Sequence, residues 1–248
     1  MLDVIDYIPG TTLPHRLNPV AKLAFAVAII LATLLASTYP MLVSLIALTI
    51  ALGLRVRAGR RLKDLLKLIA PVAIVMLVLQ LAFVRTGSPV IGFITDDGLI
   101  SGSKASLRLI GVALPLIVML SVTRLTDLAN SCVENLHVPY RYAFAFTTAL
   151  RFIPLLTREM NAIMEAQTAR GARFDTAMPL KKLRLMLPVC IPLLVISVGK
   201  TDSIALAAEQ RGFYLRTRSS SFCRYPMKSR DAAVLVCALA LLVSGVLL

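Results

Sequence analysis

Residues 23–54 contain no Asp, Glu, Lys, Arg or His. Thirty-two consecutive uncharged and mostly apolar residues exceed the ~20 that one helix needs to cross a bilayer. Tyr39-Pro40 stands near the middle of the run, and proline disfavours helix at the residue before it. The run therefore predicts a tight helical hairpin with short spans at 21–38 and 41–54. Composition agrees: apolar residues make up 58% of the 248 and charged ones 16%, with a mean hydropathy of +0.81. An average soluble domain is about 45–50% apolar and about 25% charged. A soluble globular enzyme and a disordered chain are both excluded.

Three more spans are expected, at 68–84, about 105–123 and about 232–248. The stretch 85–104 holds Gly87, Pro89, Gly92, Asp96, Asp97, Gly98 and Gly102 and reads as a loop. Arg108 lies near an end of the fourth span, where it can snorkel. The segment 55–67 carries six positive charges and one negative, whereas 38–40 carries none. Basic loops stay on the cytoplasmic side. That rule puts the N-terminus, 55–67 and 124–230 inside, and 38–40, 85–104 and the C-terminus outside. No cleavable leader is expected, because the first apolar run starts only after Lys22.

The net charge of +14 would point to nucleic acid in a soluble protein. In a membrane protein it reads as basic surface beside anionic lipid, with no nucleic-acid partner. Residues 124–230 hold 16 of the 27 basic residues and 7 of the 13 acidic ones, together with long apolar stretches. They read as amphipathic helices at the cytoplasmic membrane face. One covers 126–136. A second covers 140–170, with Ala143, Phe146, Leu150, Ile153, Met160 and Ile163 on one face and a kink expected at Pro154. A polar connector at 172–187 leads to a third helix at 188–211, with Leu194, Val198, Ala205 and Ala208 on one face. Both long helices end in Arg then Gly, at Arg170-Gly171 and Arg211-Gly212. Arg near a helix C-terminus complements the macrodipole and Gly terminates helices generally. The functional alternative is that two cationic helix tips project together into a partner's acidic grooves.

Other chemistry-bearing residues favour bland roles. Cys132, Cys190, Cys223 and Cys237 form no CxxC pair and read as packing thiols. His15 and His137 have no Cys, Asp or Glu at ligand spacing, so no metal site is expected. Asp96-Asp97 has no second acidic pair and reads as a solvated turn. Met76, Met119, Met160, Met164 and Met186 read as packing residues. No GxxxxGK[ST] loop occurs, so ATP hydrolysis by this chain is not expected.

Four groups of residues carry a family likeness. Ala149-Leu150-Arg151-Phe152-Ile153-Pro154-Leu155-Leu156, Glu159 and Ala166-Gln167-Thr168-Ala169-Arg170-Gly171 resemble the transmembrane (T) component of energy-coupling factor transporters. Tyr7-Ile8-Pro9-Gly10, His15-Arg16-Leu17-Asn18-Pro19 and Lys22 are similar to that family's opening signature. Leu136-His137-Val138-Pro139-Tyr140-Arg141-Tyr142-Ala143 also matches, as do Asp202 and Arg211-Gly212-Phe213. The likeness covers nearly the whole chain in order. It implies a non-catalytic subunit without cofactors, in the cell membrane. Its partners would be two ABC-type ATPase subunits and a membrane S component that binds a vitamin or metal ion. By resemblance, Ala169, Arg170 and Gly171 form the first ATPase-coupling motif. Gln210, Arg211 and Gly212 form the second, with Gln where the family has Ala. Phe146, Leu150, Ile153, Leu194 and Val198 are expected to contact the S component. Asn18 stands where the signature usually has Asp. The Tyr-Ile-Pro-Gly opening leans towards a shared vitamin-type module over a dedicated cobalt/nickel type.

The expected fold is thus an all-α integral membrane protein. It has a four-span bundle at 1–123, a cytoplasmic coupling-helix domain at 124–230 and a last span at 231–248. A membrane-embedded enzyme would need clustered acids or a nucleophile with a base. A self-contained carrier would show repeat halves and broken spans. Neither pattern is present.

Overall fold

The computed structural model describes residues 13–84, 89–91, 94–172, 174, 179–216 and 224–247. The Tyr7–Gly10 part of the opening signature and Cys223 lie outside them. The fold is helical apart from a small ribbon. Helices α1 (Pro19–Leu35) and α2 (Tyr39–Arg55) form the hairpin expected from the uncharged run. Each has proline in its first turn, where the missing N–H costs nothing. Helices α3 (Gly59–Phe83) and α4 (Asp96–Val122) follow, with the antiparallel strands β1 (Pro89–Ile91) and β2 (Ile94–Thr95) between them. Then come α5 (Leu125–Asn135), α6 (Tyr140–Ala169), α7 (Pro179–Gln210) and α8 (Ser229–Leu247).

Three helices start earlier than the sequence suggests. The basic residues Arg60, Arg61, Lys63 and Lys67 belong to the first turns of α3, not to a loop. Asp96 and Asp97 occupy the first turn of α4, not a solvated turn; there they complement the helix dipole. The latter part of the connector at 172–187 is helix, because α7 begins at Pro179 and runs through Pro188 and Pro192.

The chain divides into two units, one running to Asn135 and resuming at Tyr225, the other spanning Leu136–Arg224. In the first, α3 packs on α4, α1 packs on α8, and both α1 and α2 pack on α4. Ala32, Ala36, Met41, Leu42 and Leu45 make one buried cluster, with Leu241 of α8 against it. Ala58, Leu62, Leu65, Leu114 and Ile117 make another. Small residues allow close approach: a Cβ on Gly245 would stand 2.9 Å from the Ala32 Cα. Outside these seams large apolar residues are uncovered, including Leu35, Leu68, Ile74, Phe83 and Val236. Helices with paired backbones and bare apolar flanks are what a hydrocarbon solvent requires. By length and composition, α3, α4 and Met186–Gln210 of α7 can each cross a membrane, and α1 and α2 are shorter apolar helices. The α7 segment was expected to be an amphipathic surface helix; its apolar window has a mean hydropathy of 1.7.

Asn18 ties the first unit together. Its side-chain oxygen caps α1 by accepting from the Val20 N–H at 3.0 Å, and it also accepts from Ser131 Oγ of α5 at 2.8 Å. Its amide nitrogen donates to the Tyr225 carbonyl at 2.8 Å, and its backbone N–H donates to Asp231 Oδ1 at 2.8 Å. Asp231 Oδ2 accepts from the Lys228 N–H, which caps α8. At the other end of α1, Arg108 Nη2 donates to the Ala36 carbonyl at 2.8 Å. A cation at a helix C-terminus is favourable, so Arg108 serves α1 from within the bundle.

Candidate functional site

The second unit carries both Arg-Gly motifs. Helix α6 closes with the Gly171 N–H donating to the Thr168 carbonyl at 2.9 Å and the Ala172 N–H donating to the Gln167 carbonyl at 3.0 Å. These two bonds define a Schellman ending. They require a left-handed residue at Gly171, whose φ is +94°, while a Cβ there would touch nothing. Glycine is needed for backbone conformation, not for space. Arg170 is the C-cap residue, one place beyond the last helical one. Helix α7 also closes on a left-handed glycine: Gly212 has a φ of +71° and its N–H donates to the Glu209 carbonyl at 2.9 Å. Ala169, Arg170, Gly171, Gln210 and Arg211 are exposed and Gly212 is half-buried. Among the described residues, neither guanidinium makes a hydrogen bond or ion pair.

The two motifs do not lie side by side. After α7 the chain makes a short 3-10 turn, Phe213–Leu215. Phe213 packs on Tyr140 and Phe144 in the first turns of α6, with ring centroids 5.6 and 4.9 Å apart. Arg216 stacks on the Tyr140 ring, 3.7 Å from its centroid. Tyr140, Phe144, Arg211, Gly212, Phe213 and Arg216 line one cavity of about 550 Å³. Arg211 therefore stands at the root of α6, whereas Arg170 caps its far end. Thirty residues of helix separate them by about 45 Å at 1.5 Å per residue. The expectation that the tips project together is corrected: tertiary pairing at the root of α6 parts them, so each presents its own cation.

Between the ends, Lys200 of α7 pairs with Glu159 of α6, each side chain 31% exposed. With Phe213 on Phe144, this pairing makes α6 and α7 antiparallel. The sequence offered a signal for it, since Lys200 is the one charge in the apolar run 185–201. The aromatic group at Tyr140, Phe144 and Phe213 had no such signal. Of the apolar residues assigned to a membrane partner, Phe146, Ile153, Leu194 and Val198 are exposed and Leu150 is half-buried. Only 6% of the apolar window in α7 is buried. Cys132 in α5 is half-buried. Burial pushes its thiol above the ordinary cysteine value, as suits a packing thiol.

A family model described as the cobalt transport protein CbiQ matches residues 10–220. The chain belongs to that family. Its relatives in the CbiQ family include the energy-coupling factor transporter transmembrane protein EcfT of Acidaminococcus fermentans. That protein is 34% identical over 222 residues, covering 83% of this chain and 81% of its own. The Bacillus subtilis protein of the same name is 27% identical over 249 residues, covering 95% and 93%. A Bifidobacterium longum protein named for ABC transporter ATP binding is 30% identical over 248 residues; these cover 92% of this chain but 31% of that protein. This chain is thus a membrane protein of the CbiQ/EcfT family of transmembrane transporter components.

Proposed function

We propose that this chain is the non-catalytic coupling subunit of an energy-coupling factor importer. In this reading it passes ATP-driven motion from two cytoplasmic ABC-type ATPases to a membrane S component that holds the cargo. The observation that carries the reading is the pair of exposed, unengaged arginines held at opposite ends of α6. Two cations about 45 Å apart suit two separate acidic sockets, one on each ATPase. The Bifidobacterium relative adds support, because a segment like this chain there shares a polypeptide named for ATP binding. The uncovered apolar flanks, including Phe146, Leu150, Ile153, Leu194 and Val198, suit the S component and lipid.

In this arrangement 1–123 and 231–248 form the membrane bundle, and 124–230 faces the cytoplasm with the N-terminus. The C-terminus then lies outside after five crossings, by α1 to α4 and α8. A C-terminal tag reached by protease from outside the cell supports that count; a tag reached only from inside means that α7 crosses as well.

Vitamin cargo, through a shared module, is the reading favoured by the Tyr7-Ile8-Pro9-Gly10 opening. The family description as a cobalt transport protein favours a dedicated cobalt/nickel module as the second reading. The S components that co-purify in mild detergent distinguish the two. The central test is Arg170→Ala with Arg211→Ala. If each arginine meets a carboxylate in a buried socket, truncation costs roughly 2–5 kcal/mol per site, and the double variant loses its ATPases on purification. Normal co-purification and normal uptake by the double variant would overturn the assignment.

A further inference from the structure

A cavity of about 400 Å³ lies within the first unit, among α1, α2, α4 and α8. Phe25, Ile29, Thr49, Met119, Val122 and Val234 are among its walls, and among the described residues Lys22 is the one charged residue on it. Water is a poor occupant, because a buried water needs two to four polar partners and this lining is almost wholly apolar. A helix about 10–12 Å across is too wide, while the volume falls within the ~300–1,000 Å³ of small-ligand sites.

Charge is concentrated at one end. Val56 and Val122 line the cavity there. Arg55, Arg57 and Arg60 beside Val56 are exposed, and Arg61 Nη1 donates to Ser121 Oγ at 3.3 Å, next to Val122. Lys22 Nζ donates to the His15 and Val122 carbonyls at 3.3 and 3.5 Å. Asp231, held by the backbone of Asn18 and Lys228, and Asp127, held by the Tyr225 hydroxyl, offset the charge of Lys22, whereas Arg55, Arg57, Arg60 and Arg61 face the single acid Asp64 and leave the rim net positive.

We propose that this cavity is a binding site for one anionic phospholipid, its acyl chain among α1, α2, α4 and α8 and its phosphate at the basic rim around Arg55–Arg60. The hydrocarbon replaces contacts that an empty cavity lacks, and the rim supplies the attraction that basic residues exert on anionic headgroups. The site does not depend on the coupling role, only on the bundle lying in a bilayer.

The chain has no Trp, so one introduced Trp is a clean reporter. Phe25→Trp places it on the cavity wall, and Val236→Trp, 68% exposed on α8, reports bulk lipid. The full chain is reconstituted in phosphatidylcholine with small amounts of brominated-acyl phosphatidylglycerol. Phe25→Trp is expected to be quenched at mole fractions that leave Val236→Trp unaffected. Arg55→Gln and Arg60→Gln should each weaken that preference about fivefold. If Phe25→Trp does not fold, Val234→Trp on the facing wall takes its place. Equal quenching by brominated phosphatidylcholine makes the occupant ordinary bulk lipid, and no quenching at the wall leaves the cavity without lipid; either result overturns the proposal.

Discussion

Replacing Asn18 by Asp exchanges a hydrogen-bond donor for an acceptor at a point where both are in use. Asn18 is 5% exposed. Its oxygen already serves Val20 and Ser131, and a carboxylate keeps those bonds. Its nitrogen donates to the Tyr225 carbonyl, and a carboxylate turns that bond into two facing oxygens. Tyr225 is half-buried and its carbonyl keeps the longer 3.3 Å bond from the Asn135 amide, so losing the Asn18 bond costs about 1–2 kcal/mol. Asp231, 2% exposed and bound to the Asn18 backbone, adds a like charge that the introduced carboxyl must either oppose or escape by keeping its proton. The sum is about 2–4 kcal/mol at neutral pH.

Where burial and Asp231 outweigh the α1 N-terminus and the Val20 N–H, which favour the charged form, the introduced carboxyl holds its proton more tightly folded than unfolded, and when protonated it can donate to Tyr225 again. The variant should therefore lose least below about pH 4, the unfolded value. The loss should grow as pH rises towards the higher folded value, then level off. At about 2–4 °C per kcal/mol for a chain of this size, Tm should fall by about 5–15 °C at neutral pH and by much less in acid. Thermal scans of purified chain in detergent measure this; the scan rate must be fixed because such unfolding is commonly irreversible. An unchanged Tm at neutral pH, or a larger loss in acid than at neutral pH, refutes the reasoning. The opening signature that this sequence resembles has Asp here. In this chain the carboxylate that stands beside this position is that of Asp231.

The Lys200–Glu159 pair predicts that either charge reversal alone, Lys200→Glu or Glu159→Lys, lowers ATP-driven uptake while ATPases still co-purify. The double reversal should restore uptake, with a coupling energy of about 1 kcal/mol for so exposed a pair; no recovery in vesicle uptake assays counts against a brace between α6 and α7. Gly245→Leu forces α8 off the Ala32 backbone and should cost about 1–3 kcal/mol. Gly199→Ala in α7, where a Cβ meets nothing within 4 Å, should stabilise by up to ~1 kcal/mol. Thermal scans giving the reverse order would show that the α1–α8 seam is not as close as described.

The hairpin α1–α2 and the Arg-Gly endings were legible in the sequence because each is coded locally. An uncharged run broken by Tyr39-Pro40 has one economical fold in a bilayer, and a glycine closing an amphipathic stretch marks its helix end. The starts of α3, α4 and α7 differ from the sequence expectation for one shared reason: charge and proline resemble loop signals. Helix continues past the apolar limit at Arg60 and Lys63, welcomes Asp96 and Asp97 at its N-terminus, and begins at Pro179 with two further prolines inside. What no local pattern shows is pairing at long range. Asn18 meets Asp231 across 213 positions. Phe213 meets Tyr140 and Phe144 across about seventy, and that contact sets the separation of the two arginines.

If the chain has the proposed coupling role, that separation constrains how it can work. With its root held at Phe213, α6 acts as an arm of about 45 Å, and Glu159 lies about 28 Å along it, nineteen residues at 1.5 Å. A displacement of the Arg170 end thus reaches the Lys200 crossing reduced to about 0.6 of its size by simple lever geometry. Phe146, Leu150 and Ile153 lie closer to the root, where the same geometry leaves about 0.2–0.4. The larger share of motion passes to α7, beside Leu194 and Val198. On the coupling reading, α6 is the input arm and the bare face of α7 the output. This is why the charge reversals at Lys200 and Glu159 should separate uptake from ATPase binding, whereas loss of Arg170 and Arg211 should abolish both together.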